Sequence, residues 1–152
     1  MGKVKYNEET GILYREWSVI EGIELREEWN ENEDCAVRAL ASATECTYQE
    51  AHEYCKKYMK RENRDGAVGF GRVMDERMGL SFLNNCTYNE LKMEKTLTVK
   101  EFYEKYAGNY IVAVKGHVFT IKHKCIIGNP EDSQDVHKIV NFAYQVYKSD
   151  DI

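Results

Sequence analysis

The last third of the chain leaves little choice of architecture. Four segments are dense in Val, Ile, Tyr and Phe: NYIVAV (Asn109–Val114), GHVFTI (Gly116–Ile121), CII (Cys125–Ile127) and IVNFAYQVY (Ile139–Tyr147). Such residues pack well on a pleated surface. The connections between the first three are only Lys115-Gly116 and Lys122-His123-Lys124. Links that short favour antiparallel neighbours, because a parallel pair needs a long crossover.

Upstream the pattern turns helical. Ala36 to Ala43 is rich in Ala, Leu and Val, and Asp34 is placed to cap its start. Thr47-Tyr48-Gln49-Glu50 is a capping box opening a helix that ends near Met59. Tyr48, Ala51, Tyr54, Cys55 and Tyr58 recur there at helical spacing. Gly69 to Met78 reads as a short helix. Thr98-Val99-Lys100-Glu101 is a second capping box, with its helix ending near Tyr106. Lys3 to Leu25 carries β-branched and aromatic residues between Glu-Thr-Gly and Glu-Gly turn signals, which predicts short strands or a hairpin. Helices first and an antiparallel sheet after make an α+β fold, with the N-terminal helices packed on the C-terminal sheet. Pro130 is the one proline, and no Gly/Ser-rich linker divides the chain. One domain is expected over 1–152: a strand or hairpin extension at 1–29, a mainly helical part at 30–106 and a sheet part at 107–149.

The 152 residues can bury a core without disulfide or metal staples. A net charge of -5 argues against coating nucleic acid or anionic lipid, both of which need a positive footprint. There is no apolar run of membrane-spanning length. MGKVKYNEET lacks the apolar core of a secretory signal, and Tyr6 breaks the myristoylation pattern. The five cysteines are odd in number and scattered, so they are expected as reduced thiols in a cytoplasm.

Cys35 stands apart from the other four. Cys46, Cys55, Cys86 and Cys125 lie in apolar or helical contexts and read as core thiols. Cys35 follows an acidic run and opens a helix. Free N–H groups and the positive end of the helix dipole stabilise a thiolate there, and the same N–H groups can hold an oxyanion. A nucleophilic cysteine also needs a base and a group that orients it. His52 falls inside a helix, His123 in a Lys-His-Lys turn and His137 after an acidic loop. His117 begins a strand directly after Gly116, fixed in direction yet accessible. If the segments at 116–121 and 125–129 form a hairpin, Asn129 arrives at the same end as His117 and can orient it. Asp132, beyond Pro130, is the alternative.

The order of these residues resembles the papain-like fold of cysteine peptidases. It is most similar to small members, such as bacteriocin-processing peptidase domains and phage-encoded papain-like proteins. The pieces that carry the resemblance are EDCAVRALASAT, GHVFTI and GN(P), within residues 30–147. The resemblance implies Cys35 as nucleophile, His117 as general base and acid, and Asn129 as the orienting residue. The family's oxyanion side chain, usually Gln, precedes the nucleophile by a few residues. Asn30 and Asn32 are the amides available, with Asn30 preferred. The family often has Gly after the cysteine, where this chain has Ala36. Arg38 is expected to support the Asn30–Asp34 loop through an ion pair.

Two functions follow as expectations. One is a small cysteine hydrolase that cleaves a peptide, isopeptide or related amide bond in a protein or peptide substrate. The other is a catalytically silent binding module, such as a phage or mobile-element protein that docks on a host protein and inhibits it. No cofactor is expected. A structural zinc could draw on Cys46, His52, Cys55, Cys86, His123 or Cys125, but no C-x-x-C pair is present. EEWNENED and PEDSQD read as solvated loops. NRDGAVGFGRVMDERMG reads as a loop leading into a short helix at the border of the cleft.

Overall fold

Alternation along the strand-rich segments decides how the protein is layered. The computed structural model describes residues 3–31, 33–60 and 69–149. Strand β4 (Asn109–Val114) sends Ile111 and Ala113 into one core cluster, and Tyr110, Val112 and Val114 into a second. Both faces of the strand are therefore covered, which explains why it reads as a continuous apolar run. The remaining strands are β1 (Lys5–Asn7), β2 (Ile12–Glu16), β3 (Cys86–Glu90), β5 (His117–Lys122), β6 (Ile126–Gly128) and β7 (Phe142–Lys148). They form one seven-stranded mixed sheet in the order β1-β2-β6-β5-β4-β7-β3.

Five α-helices occur among the described residues: α1 (Leu25–Glu28), α2 (Cys35–Thr44), α3 (Tyr48–Tyr58), α4 (Phe70–Glu76) and α5 (Val99–Lys105). The fold is thus α+β. Helices α2, α3 and α4 pack into the first cluster, while Val99, Phe102 and Tyr103 of α5 pack into the second, on the other face of the sheet. Both capping boxes are present, Thr47 with Glu50 and Thr98 with Glu101.

The structure departs from expectation at four points. The sheet is not purely antiparallel: β2 runs parallel to β6, pairing Tyr14 with Ile126 and Glu16 with Gly128. Short links dictate only how sequence neighbours pair, and β2 reaches β6 through a long connection that carries helices. The N-terminal hairpin is therefore an integral edge of the sheet rather than an extension. Strand β3, inside the part expected to be mainly helical, forms the opposite edge by pairing with β7. Finally, Asp34 does not cap α2 with its side chain, because that carboxylate is engaged elsewhere.

Helix α2 is pinned to the sheet by polar contacts as well as packing. Thr120 Oγ1 of β5 donates to Ala39 O at 2.9 Å and lies 2.7 Å from Ser42 Oγ, in a fully buried setting. This clamp fixes the rise of α2 along β5, and so fixes where its first residue ends up. No described helix is long and apolar enough to cross a membrane.

Candidate functional site

Cys35 is the first residue of α2, where the backbone ladder has not yet begun. Among the described residues, the first N–H of this helix to find a backbone partner is that of Arg38, which donates to Asp34 O at 3.0 Å. The Cys35 sulfur lies against the start of β5. Burial pushes its pKa up, but a hydrogen bond with His117, the backbone N–H of Val118 and the nearby His117 and Arg38 charges outweigh this. The thiol is held below its ordinary value.

His117 is the first residue of β5. Gly116 before it has φ +72°, in the left-handed region that glycine adopts without strain. The imidazole Nε2 lies 3.0 Å from Asp132 Oδ1 and 3.1 Å from Oδ2. That leaves Nδ1 as the ring atom for Cys35. Burial alone lowers the pKa of His117. Hydrogen bonds to Asp132 and Cys35, with their charges, overcome burial and bring it up to about 9. The ring also stacks on Phe119, with centroids 5.6 Å apart. A lowered thiol beside a raised imidazole shifts the pair toward the thiolate–imidazolium form, and the two groups titrate as a pair.

The partner of His117 is Asp132, not Asn129. Strand alternation explains the exchange. Asn129 continues the extended path of β6, so its side chain turns to the α2 side. There its Oδ1 accepts from Trp17 Nε1 at 2.8 Å and from Arg38 Nη1 at 2.6 Å. The chain then folds back through the 3-10 turn Pro130–Ser133 and carries Asp132 over Gly128, on the Phe119 side. Asp132 Oδ2 also accepts the Asn129 N–H at 2.8 Å, which locks the carboxylate toward His117.

Arg38 and Asp34 form the support beneath Cys35. Asp34 is fully buried. Its Oδ2 accepts from Arg26 Nε at 2.8 Å and Tyr48 OH at 2.7 Å, and its Oδ1 lies 3.0 Å from Arg38 Nε. Burial raises the Asp34 pKa, but Arg38, Tyr48 and Arg26 together hold it below its usual value. Both guanidiniums sit over the Trp17 ring, each 4.9 Å from its centroid. The ion pair expected of Arg38 is therefore present, with Asp34 as its acid.

Of the two oxyanion candidates, only Asn30 lies within the described residues, and it is not brought to the site. Asn30 is exposed, with φ +54°, and does not line the cleft. Asn32 lies outside the described residues. The cleft itself holds about 500 Å³. Glu33, Cys35, His117, Arg38 and Asn129 form its polar side, and Phe70, Val114 and Phe142 are among its apolar walls. Phe70 opens α4, so the short helix does border the cleft; residues 61–68 before it lie outside the described residues.

Trp17, Arg26 and Tyr48 escaped the sequence reading. Nothing in their spacing links them to Cys35, because they converge only when β2 docks on β6 and α3 folds back on α2. His52 is buried with Nε2 2.6 Å from Glu31 Oε1, and His123 and His137 are exposed. Among the described residues no three of His, Cys, Asp and Glu gather in a metal-holding group.

Chemically, the array supplies a lowered thiol, a raised imidazole beside it, and a helix N-terminus at an accessible cleft. Those are the parts needed to attack a carbonyl carbon and to protonate a leaving group. Comparison with protein-family models, curated proteins and solved structures returned no match.

Proposed function

We propose that the protein is a small cysteine hydrolase of papain-like fold, cleaving a peptide, isopeptide or related amide bond. Cys35 is the nucleophile, His117 the general base and acid, and Asp132 the orienting residue in the place first expected of Asn129. One observation carries this reading: a helix-opening thiol is hydrogen-bonded to an imidazole whose other nitrogen is held by a buried carboxylate. The chain order of cysteine, histidine and orienting group agrees with the resemblance. The mixed sheet, the lack of a Gln shortly before Cys35, and Ala36 in place of Gly are this chain's departures from it.

In the reaction the Cys35 thiolate attacks the carbonyl carbon, and the α2 N-terminus stabilises the oxyanion. Imidazolium His117 gives its proton to the leaving amine, and the C–N bond breaks. Water, deprotonated by His117, then releases the acyl group from sulfur. Attack needs the thiolate, so the rate rises with pH through the lowered Cys35 pKa. Leaving-group protonation needs imidazolium, so the rate falls as pH passes about 9.

The test is the pH dependence of Cys35 alkylation by iodoacetamide, read by mass spectrometry, alongside turnover of a peptide library. Cys35 should label faster than the other four cysteines at neutral pH, and His117→Ala should remove that advantage. Cys35→Ala and His117→Ala should each abolish cleavage while the circular dichroism spectrum is retained. A Cys35 that labels no faster than Cys125 would favour the silent binding module instead.

A further inference from the structure

Among the described residues before Cys35, no amide reaches the cleft, since Asn30 is exposed and does not line it. Asn129 can supply one. Its Oδ1 is held by Trp17 Nε1 and Arg38 Nη1. An indole N–H and a guanidinium only donate, so the carboxamide can stand in just one orientation, with oxygen toward them and Nδ2 away. Among the described residues no acceptor takes Nδ2, and Asn129 lines the cleft.

Register places this donor beside the nucleophile. β5 and β6 pair Thr120 with Ile127. Carrying that pairing two residues further sets Asn129 opposite Val118, and the Val118 N–H is the group that binds the Cys35 sulfur. Both side chains lie on the α2 face of the sheet. The amide thus stands next to the first turn of α2, whose N–H groups have no intrahelical partner.

We propose that Asn129 Nδ2 donates to the substrate carbonyl oxygen attacked by Cys35, sharing the developing oxyanion with the N-terminus of α2. The proposal rests on the hydrolase reading above. Trp17 and Arg38 are positioning residues here: they orient the amide. An Asn that has lost the imidazole to Asp132 becomes a transition-state donor.

Two reactions of the same sulfur separate this role from a structural one. Iodoacetamide is attacked at its CH₂ carbon, iodide leaves, and no oxyanion forms. With p-nitrophenyl acetate the thiolate attacks the carbonyl, the bond to oxygen breaks, and p-nitrophenolate departs as S-acetyl-Cys35 forms. Water then yields acetate and the thiol. Asn129→Asp keeps an acceptor for Trp17 and Arg38 but removes the donor, so the fold should hold. The ratio of acetylation to alkylation rate should fall about 100-fold. Normalising to alkylation cancels the effect of the added charge on the thiol. Asn129→Ser, uncharged and too short to reach, should lower the ratio similarly. Fast wild-type alkylation with the ratio unchanged in both variants overturns this proposal alone. Slow wild-type alkylation, insensitive to His117→Ala, overturns the hydrolase reading and this proposal with it.

Discussion

Gly128 shows how finely the site depends on single atoms. A Cβ at this position would collide with the Asp132 carboxylate and press within 3.2 Å of Phe119 Cβ. The carboxylate crosses the strand just where a side chain would stand. Gly128→Ala should therefore push Asp132 off His117 without touching Cys35. The imidazole then loses the larger of the two partners that raise it, and its pKa falls from about 9 toward its ordinary value. With less imidazolium at neutral pH, the thiol pKa rises in turn. Two measurements check this: an NMR titration of the His117 ring, and the pH profile of Cys35 alkylation, which should move upward by about one pH unit. An unmoved profile would mean that Asp132 does not govern the pair.

Helix α2 is the element on which the site turns, and its start is built around a buried charge. Asp34 meets two arginines and a tyrosine with no exposure to solvent. Removing one member of such a group leaves the others uncompensated, so Asp34→Asn should cost about 3 kcal/mol in urea unfolding at neutral pH. The pH dependence has a definite sign. The folded pKa of Asp34 is below its unfolded value of 3.8, so the stabilisation is complete above that value. It is lost as pH falls through the folded pKa. The gap between wild type and Asp34→Asn should therefore close in acid. A gap that persists there would assign the loss to packing rather than charge.

At the scale of the molecule, the N-terminal hairpin holds the site from behind. β2 is hydrogen-bonded to β6, which leads directly into Asn129 and Asp132, and Trp17 follows β2 in the chain. Ile12, at the start of β2, is 1% exposed and belongs to the second core cluster. Ile12→Ala should destabilise the whole protein by about 2–5 kcal/mol. It should do so in one cooperative chemical-denaturation transition, reported alike by tryptophan fluorescence and circular dichroism. Two separate transitions would mean that the hairpin is an appendage after all.

Local chemistry determined a definite share of this protein. Both capping boxes, the antiparallel run from β4 to β6, and the helix that begins at Cys35 are legible because each depends on residues a few positions apart. His117 as the strand-opening histidine beside a glycine was legible for the same reason. Tertiary structure alone decided which group faces it. Asn129 and Asp132 were both within reach on the sequence. Strand alternation sent the first toward α2, and the turn at Pro130 brought the second back over Gly128. The same holds for Trp17, Arg26 and Tyr48 around Asp34, and for β2 lying parallel to β6. Contacts between distant segments depend on how faces pack once the sheet has closed, and no spacing along the chain records that.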